Sequence, residues 1–121
     1  MTDRTHTGPY VVTHKVEAFP IHSGVRVLSR VAVETLQGAR SWVYNAVSRV
    51  PHQPGESSEI SDSIPADGGS VTLPDGSTIS VEPVTWEGLA NSVGVAYRVP
   101  ASDDHGRQIL KAFNESEEAK R

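Results

Sequence analysis

VRVLSRVAVETLQGARSWVYNAVSRV, residues 25–50, is the stretch that decides how this chain is read. Val25, Val27, Val31 and Val33 share one parity, and Trp42, Tyr44 and Val50 share the other. Alternation of that kind is the signature of half-buried strands. A two-residue turn at Gln37-Gly38 sets Leu36 opposite Ala39. Val33 then faces Trp42 and Val31 faces Tyr44, two aromatic–β-branched pairs that stabilise a ladder. A slip of one residue would scatter this apolar face, so the pattern predicts a long β-hairpin over 25–50.

The same register puts Arg26 directly opposite Arg49, with Arg30 further along that face. Like charges opposed across a ladder destabilise it unless water or an anion neutralises them. Leu28, Val43 and Val47 make the face partly apolar, which suits a protein partner. The nearest anions are Glu56, Glu59 and Asp62, within an acidic loop expected over 51–69, from this copy or a neighbour. Arg26, Arg30, Arg49, Glu56, Glu59 and Asp62 are therefore the expected protein-interaction residues.

Working outward, residues 1–9 are polar, end in Gly8-Pro9 and read as a flexible arm. Val12, His14 and Val16 alternate in a first strand over 10–18, closed by Phe19-Pro20. Pro74-Asp75-Gly76 lies between Val71-Leu73 and Ile79-Val81 as the turn of a short hairpin. Trp86-Glu87-Gly88-Leu89 reads as a turn or a single helical turn, and Val93, Val95, Tyr97 and Val99 as a last strand. After Pro100, Ser102 can cap a helix whose first turn carries Asp103 and Asp104, where the helix dipole favours anions. Ile109, Leu110 and Phe113 give it an apolar stripe over about 103–119. The expectation is a mainly β, α+β domain over 10–121: an antiparallel barrel or sandwich of about six strands with a C-terminal helix.

Composition agrees with a single β-rich domain. The chain has 121 residues, with sixteen Val against five Leu and five Ile, and Val fits a pleated strand better than a helix. With no cysteine, disulfides, thiolate catalysis and Cys-type metal sites are excluded. The first residues lack the apolar core of a signal peptide, and no apolar run approaches a membrane span. Cytosolic synthesis without membrane attachment is expected. The net charge of −4 divides unevenly: residues 1–50 hold six cations and three acids, residues 51–121 five cations and twelve acids. Overall acidity argues against a dedicated nucleic-acid binder.

Chemistry-bearing patterns are missing. The five histidines form no metal-ligand spacing, Asp103-Asp104-His105 reads as helix-start charge, and no nucleophile elbow or phosphate loop occurs. No metal or cofactor is expected, and no catalytic residue. In outline, the polar arm, β domain, acidic loop and charged helix are similar to the small β-barrel virion proteins of tailed phages, of the connector, stopper or decoration type. That resemblance implies a structural, virion-located protein. The leading expectation is a non-enzymatic assembly protein contacting subunits, its own or others, as a homo-oligomer or a mixed complex. Two alternatives stand beside it: a small-molecule binder or enzyme with a cleft lined by Trp42, Tyr44, Trp86 and Tyr97, and an acidic inhibitor or immunity-type partner.

Overall fold

Tyr10, Val11 and Val12 are all buried, so the first strand is covered on both of its faces. That fact organises the molecule. The computed structural model describes residues 8–17, 25–96 and 103–120. Strand β1 (Tyr10–Glu17) pairs antiparallel with β2 (Val25–Val33) on one side. On its other side it pairs with β4 (Thr78–Pro83), which also pairs with β3 (Gly69–Thr72). The result is an open four-stranded antiparallel sheet of order β2-β1-β4-β3. Neither a barrel nor a six-stranded sheet forms among the described residues. The expected arm is corrected at its end, because Pro9 is fully buried and its carbonyl accepts the Val84 amide.

The predicted hairpin over 25–50 is half right. Its first arm is β2, but its second arm is helix α1 (Leu36–Ser48). Thr35 is the N-cap, its hydroxyl accepting the Gly38 amide at 3.0 Å. The side chains that α1 buries are Ala39, Val43, Ala46 and Val47. Their spacing is helical, and a cap that satisfies an orphan donor fixes where the helix starts. Trp42 and Tyr44, read as neighbours on one strand face, therefore separate: Trp42 is half-buried against the sheet and Tyr44 is 45% exposed.

The expected acidic loop is also corrected. Pro54-Gly55 makes a tight turn, with the Glu56 amide donating to the Gln53 carbonyl at 3.0 Å and Gly55 at φ 82°. It leads into α2 (Glu56–Asp62), whose buried residues Ser57 and Ser61 are small enough to let it lie close on α1. The Ser48 and Ser57 hydroxyls meet at 3.0 Å across that contact. Arg40 of α1 donates twice to the Ile64 carbonyl, at 2.6 and 3.1 Å, satisfying the chain just past α2. The Tyr10 hydroxyl donates to the Ala66 carbonyl at 2.6 Å. Together α1, α2, Ile64 and Leu73 cover the sheet face bearing Tyr10, Val12, Ile79 and Val81.

The opposite face carries Val11 and Ala32, covered by α3 (Trp86–Ser92) and α4 (Asp103–Ala119) through Leu89, Ala90, Ile109 and Phe113. Helix α3 begins with the same device as α1, Thr85 accepting the Gly88 amide at 2.9 Å. It ends where a strand was expected. The Gly94 amide reaches the Asn91 carbonyl and the Val95 amide the Ala90 carbonyl, with Gly94 at φ 73°. These are the two bonds of a Schellman motif, and Val95 is its apolar follower, packed on the second core. Residues 93–96 are thus a helix terminus, and 97–100 lie outside the described residues. The C-terminal helix spans Asp103–Ala119 as anticipated. No helix among the described residues is long and apolar enough to cross a membrane.

Candidate functional site

Among the described residues β2 is an edge strand, and edge strands expose unpaired backbone groups unless something covers them. One position is covered here by a side chain. The Asn114 amide of α4 accepts from the Ala32 N–H at 2.7 Å and donates to the Ala32 carbonyl at 3.2 Å. This imitates a neighbouring strand at one residue. Farther along, the register shifts between His14 and Lys15: Ser29 opposes His14 and Val27 opposes Lys15, so Leu28 is an extra residue. A bulge of this kind twists the edge and disrupts regular pairing. Val27 and Leu28 are left 43% and 42% exposed.

Between the Asn114 clamp and this bulge stands Arg30. It pairs with Thr13, so it projects from the face that holds Val11, Ala32 and α4. Its guanidinium carbon lies 5.9 Å from the centre of the Phe113 ring, within cation–π range. Arg30 also separates two hollows. One, of about 310 Å³, is lined by Val11, Val84, Leu89 and Phe113 with the polar groups of Thr85 and Ser92. The other, of about 290 Å³, is lined by Ser29, Val31, Asn114 and Glu118. Among the described residues the ion pairs are Arg107 with Asp104 and Lys120 with Glu117, so Arg30 belongs to neither. A cation on an aromatic ring, flanked by apolar hollows and two exposed aliphatic side chains, has the make-up of an interface anchor.

The structure separates the other expected interaction residues. The backbone of Arg26, in β2, pairs with Val16 of β1. Its side chain lies outside the described residues. Arg49 is not opposite Arg26: it is the C-cap of α1, exposed, on the other side of the sheet from Arg30. A cation at a helix C-terminus is favoured by the dipole, so the puzzle of two opposed arginines disappears. Glu56 and Glu59 are in the first turn of α2, and the Glu56 carboxylate accepts the Gln53 amide at 2.8 Å. Glu59 and Asp62 are exposed. Nor do the aromatics converge on one cleft. Trp42 packs in the core under α1 and Trp86 in the core under α3, on opposite sheet faces, and Tyr97 lies outside the described residues.

One polar chain has catalytic-looking members that sequence reasoning missed. Nε2 of His14 lies 2.8 Å from Ser77 Oγ, and Ser77 Oγ donates to Asp75 Oδ1 at 2.6 Å. Since the serine proton goes to Asp75, His14 is the donor to Ser77 through Nε2–H. Ser77 is 1% exposed, so no substrate reaches it. The three groups tie the β3–β4 turn to β1, with the His14 ring edge-on to Trp42 at 6.1 Å. The signal was invisible in sequence because His14 and Ser77 are 63 residues apart. No group of His, Asp or Glu among the described residues could hold a metal ion.

Burial lowers the His14 pKa from 6.5, with Asp75 acting in the opposite sense. The Ser77 hydroxyl and amide hold Asp75 below the usual carboxylate range. Burial raises Tyr10, partly offset by Arg40. A depressed histidine takes its proton in the unfolded chain before the folded one. Stability is therefore lost as pH falls below the ordinary histidine value, and Asp75 extends the loss to lower pH. The urea midpoint is expected to fall steadily from pH 7 to pH 5 by amounts that His14→Gln reduces. A midpoint independent of pH, or one rising toward pH 5, would contradict this arrangement.

No protein family, curated protein or solved structure matches the chain.

Proposed function

We propose that this chain is a non-enzymatic assembly protein whose copies join head to tail, the Arg30 face of one against α2 of the next. The carrying observation is that Arg30, seated on the Phe113 ring, and the acids of α2 stand on opposite sheet faces, although neither face carries one sign of charge: Glu118 shares the hollow beside Arg30, and Arg40 and Arg49 belong to the α1 side. Arg30 projects from the α4 side, while Glu56, Glu59 and Asp62 belong to a helix packed on the α1 side. The α2 acids of one molecule therefore lie across the sheet from its own Arg30, and their pairing with it works only between molecules, in competition with Glu118. Two different surfaces meeting in this way form a heterologous contact, which closes into a ring or continues as a filament. Charge complementarity would set its register, and the hollows beside Arg30 would take apolar side chains of the neighbour. The barrel that accompanied the likeness to phage virion proteins does not form among the described residues, so a virion setting stays a proposal from layout alone.

A charge swap tests the pairing. Arg30→Glu should weaken self-association by about tenfold or more, the range of an interface arginine. Combining it with Glu59→Arg and Asp62→Arg should recover much of the loss, because the attraction is restored with its signs reversed. Sedimentation of the two variants side by side reads both effects. If Arg30→Glu associates as the parent does, the Arg30 face is not the contact.

A further inference from the structure

Helices α1 and α2 do not close completely along their length. Their outer sides frame a groove of about 390 Å³, within the range of small-molecule sites. Gln37, Ser41, Tyr44 and Asn45 line it from α1, and Ser58 and Asp62 from α2. Arg40 stands in its wall, held in place by its two bonds to the Ile64 carbonyl. Asp62 belongs also to the α2 surface of the contact proposed above, whereas Gln37, Arg40, Ser41, Tyr44 and Asn45 of α1 lie outside it.

The lining selects among ligand chemistries. An apolar molecule would find almost no apolar side chain there. An inorganic anion would find a single guanidinium, partly committed to Ile64, facing the carboxylate of Asp62. An extended peptide would find helix walls, which offer no free strand edge to pair with. What the groove does offer is amides and hydroxyls that both donate and accept, one cation, one carboxylate and an aromatic ring on the rim. Tyr44 is 45% exposed although it is the bulkiest residue of the wall. We infer that the α1–α2 groove binds a neutral polyhydroxylated ligand of the saccharide class. Its hydroxyl groups would exchange hydrogen bonds with Gln37, Asn45 and Ser58, and one C–H face would lie on the Tyr44 ring, whose π face is electron-rich.

The test is amide NMR on the full chain, titrated separately with glucose, galactose, N-acetylglucosamine, maltose and inorganic phosphate. It is run in about 0.5 M salt, where screening suppresses charge-directed association, so its outcome is independent of the assembly reading. At least one sugar should give saturable shifts confined to residues 37–45 and 58–62. Tyr44→Ala should weaken that binding by about tenfold, the scale of a lost aromatic contact, with the melting temperature unchanged because the side chain is exposed. Asn45→Ala provides a second variant that leaves the core intact. The inference is overturned if no sugar shifts these amides up to about 50 mM. It is equally overturned if Tyr44→Ala and Asn45→Ala bind as the parent does, or if phosphate produces the same shifts.

Discussion

Deleting residues 55–66 and bridging the gap with Gly-Ser is expected to unfold the chain. By composition the segment looks removable, since Ile60 and Ile64 are its only large apolar residues. In the structure it carries α2 and the first core depends on it. Ile64 is 1% exposed, and losing a buried Ile to a void costs about 2–5 kcal/mol. Helix α1 would lose the helix packed along it, with the Ser48–Ser57 contact and the Ile60 side chain that packs on the first core. Arg40 and the Tyr10 hydroxyl would lose the Ile64 and Ala66 carbonyls they now bond. Whole domains of this size are stable by only about 5–15 kcal/mol, so the combined loss reaches the total. Circular dichroism melts of the parent and the deletion check this. A cooperative transition within a few degrees of the parent's would show that the segment is an accessory.

Gly68→Ala is the single substitution with the largest expected cost. Gly68 sits at φ 88°, where an L side chain is strained, and leads from Ala66-Asp67 into β3. A Cβ there would lie 2.5 Å from the Val81 carbonyl oxygen and 2.7 Å from Pro83 Cδ. The first obstacle is backbone in the centre of a sheet strand, so it cannot swing aside. Backbone strain of about 1–3 kcal/mol and the forced opening of the β3–β4 pairing add together. Gly55→Ala is the control: its φ is 82°, yet a Cβ there meets nothing within 4 Å. The control should lose only the strain, about 1 kcal/mol, and Gly68→Ala clearly more. Urea midpoints at constant slope measure the difference. Equal losses would mean that the close approach to Val81 does not matter.

How far the sequence reveals this architecture depends on which physical signal dominates locally. Strand β1, the Pro74-Asp75-Gly76 hairpin and the C-terminal helix are readable because alternation, turn chemistry and an apolar stripe each agree with the fold. Helix α1 is hidden because Val33, Trp42 and Tyr44 complete an alternating pattern that is also self-consistent. The decisive features were Thr35 as a cap and the buried set Ala39, Val43, Ala46 and Val47, which alternation cannot produce. Helix α2 is hidden for another reason: it packs through Ser57 and Ser61, and close approach by serine leaves no hydrophobic trace. Val93 and Val95 imitate a strand, but Gly94 between them marks a helix end.

The candidate surface was legible in its parts and not in its geometry. Arg30 stands out in the sequence through an imagined opposition of Arg26 and Arg49 that the fold does not contain. What makes Arg30 notable is its seat on Phe113, from a helix that begins about seventy residues later. Contacts of that range, like Asn114 on Ala32 or His14 on Ser77, leave no local pattern to read.

Light scattering of the intact chain over a range of concentrations, at low and at high salt, tests the central claim most directly. The account predicts a mass that climbs above the 13.0 kDa of one chain as concentration rises in low salt. It predicts a return toward that mass in about 0.5 M salt, where charges more than a few ångströms apart are screened. A mass of 13.0 kDa at every concentration and salt would contradict it.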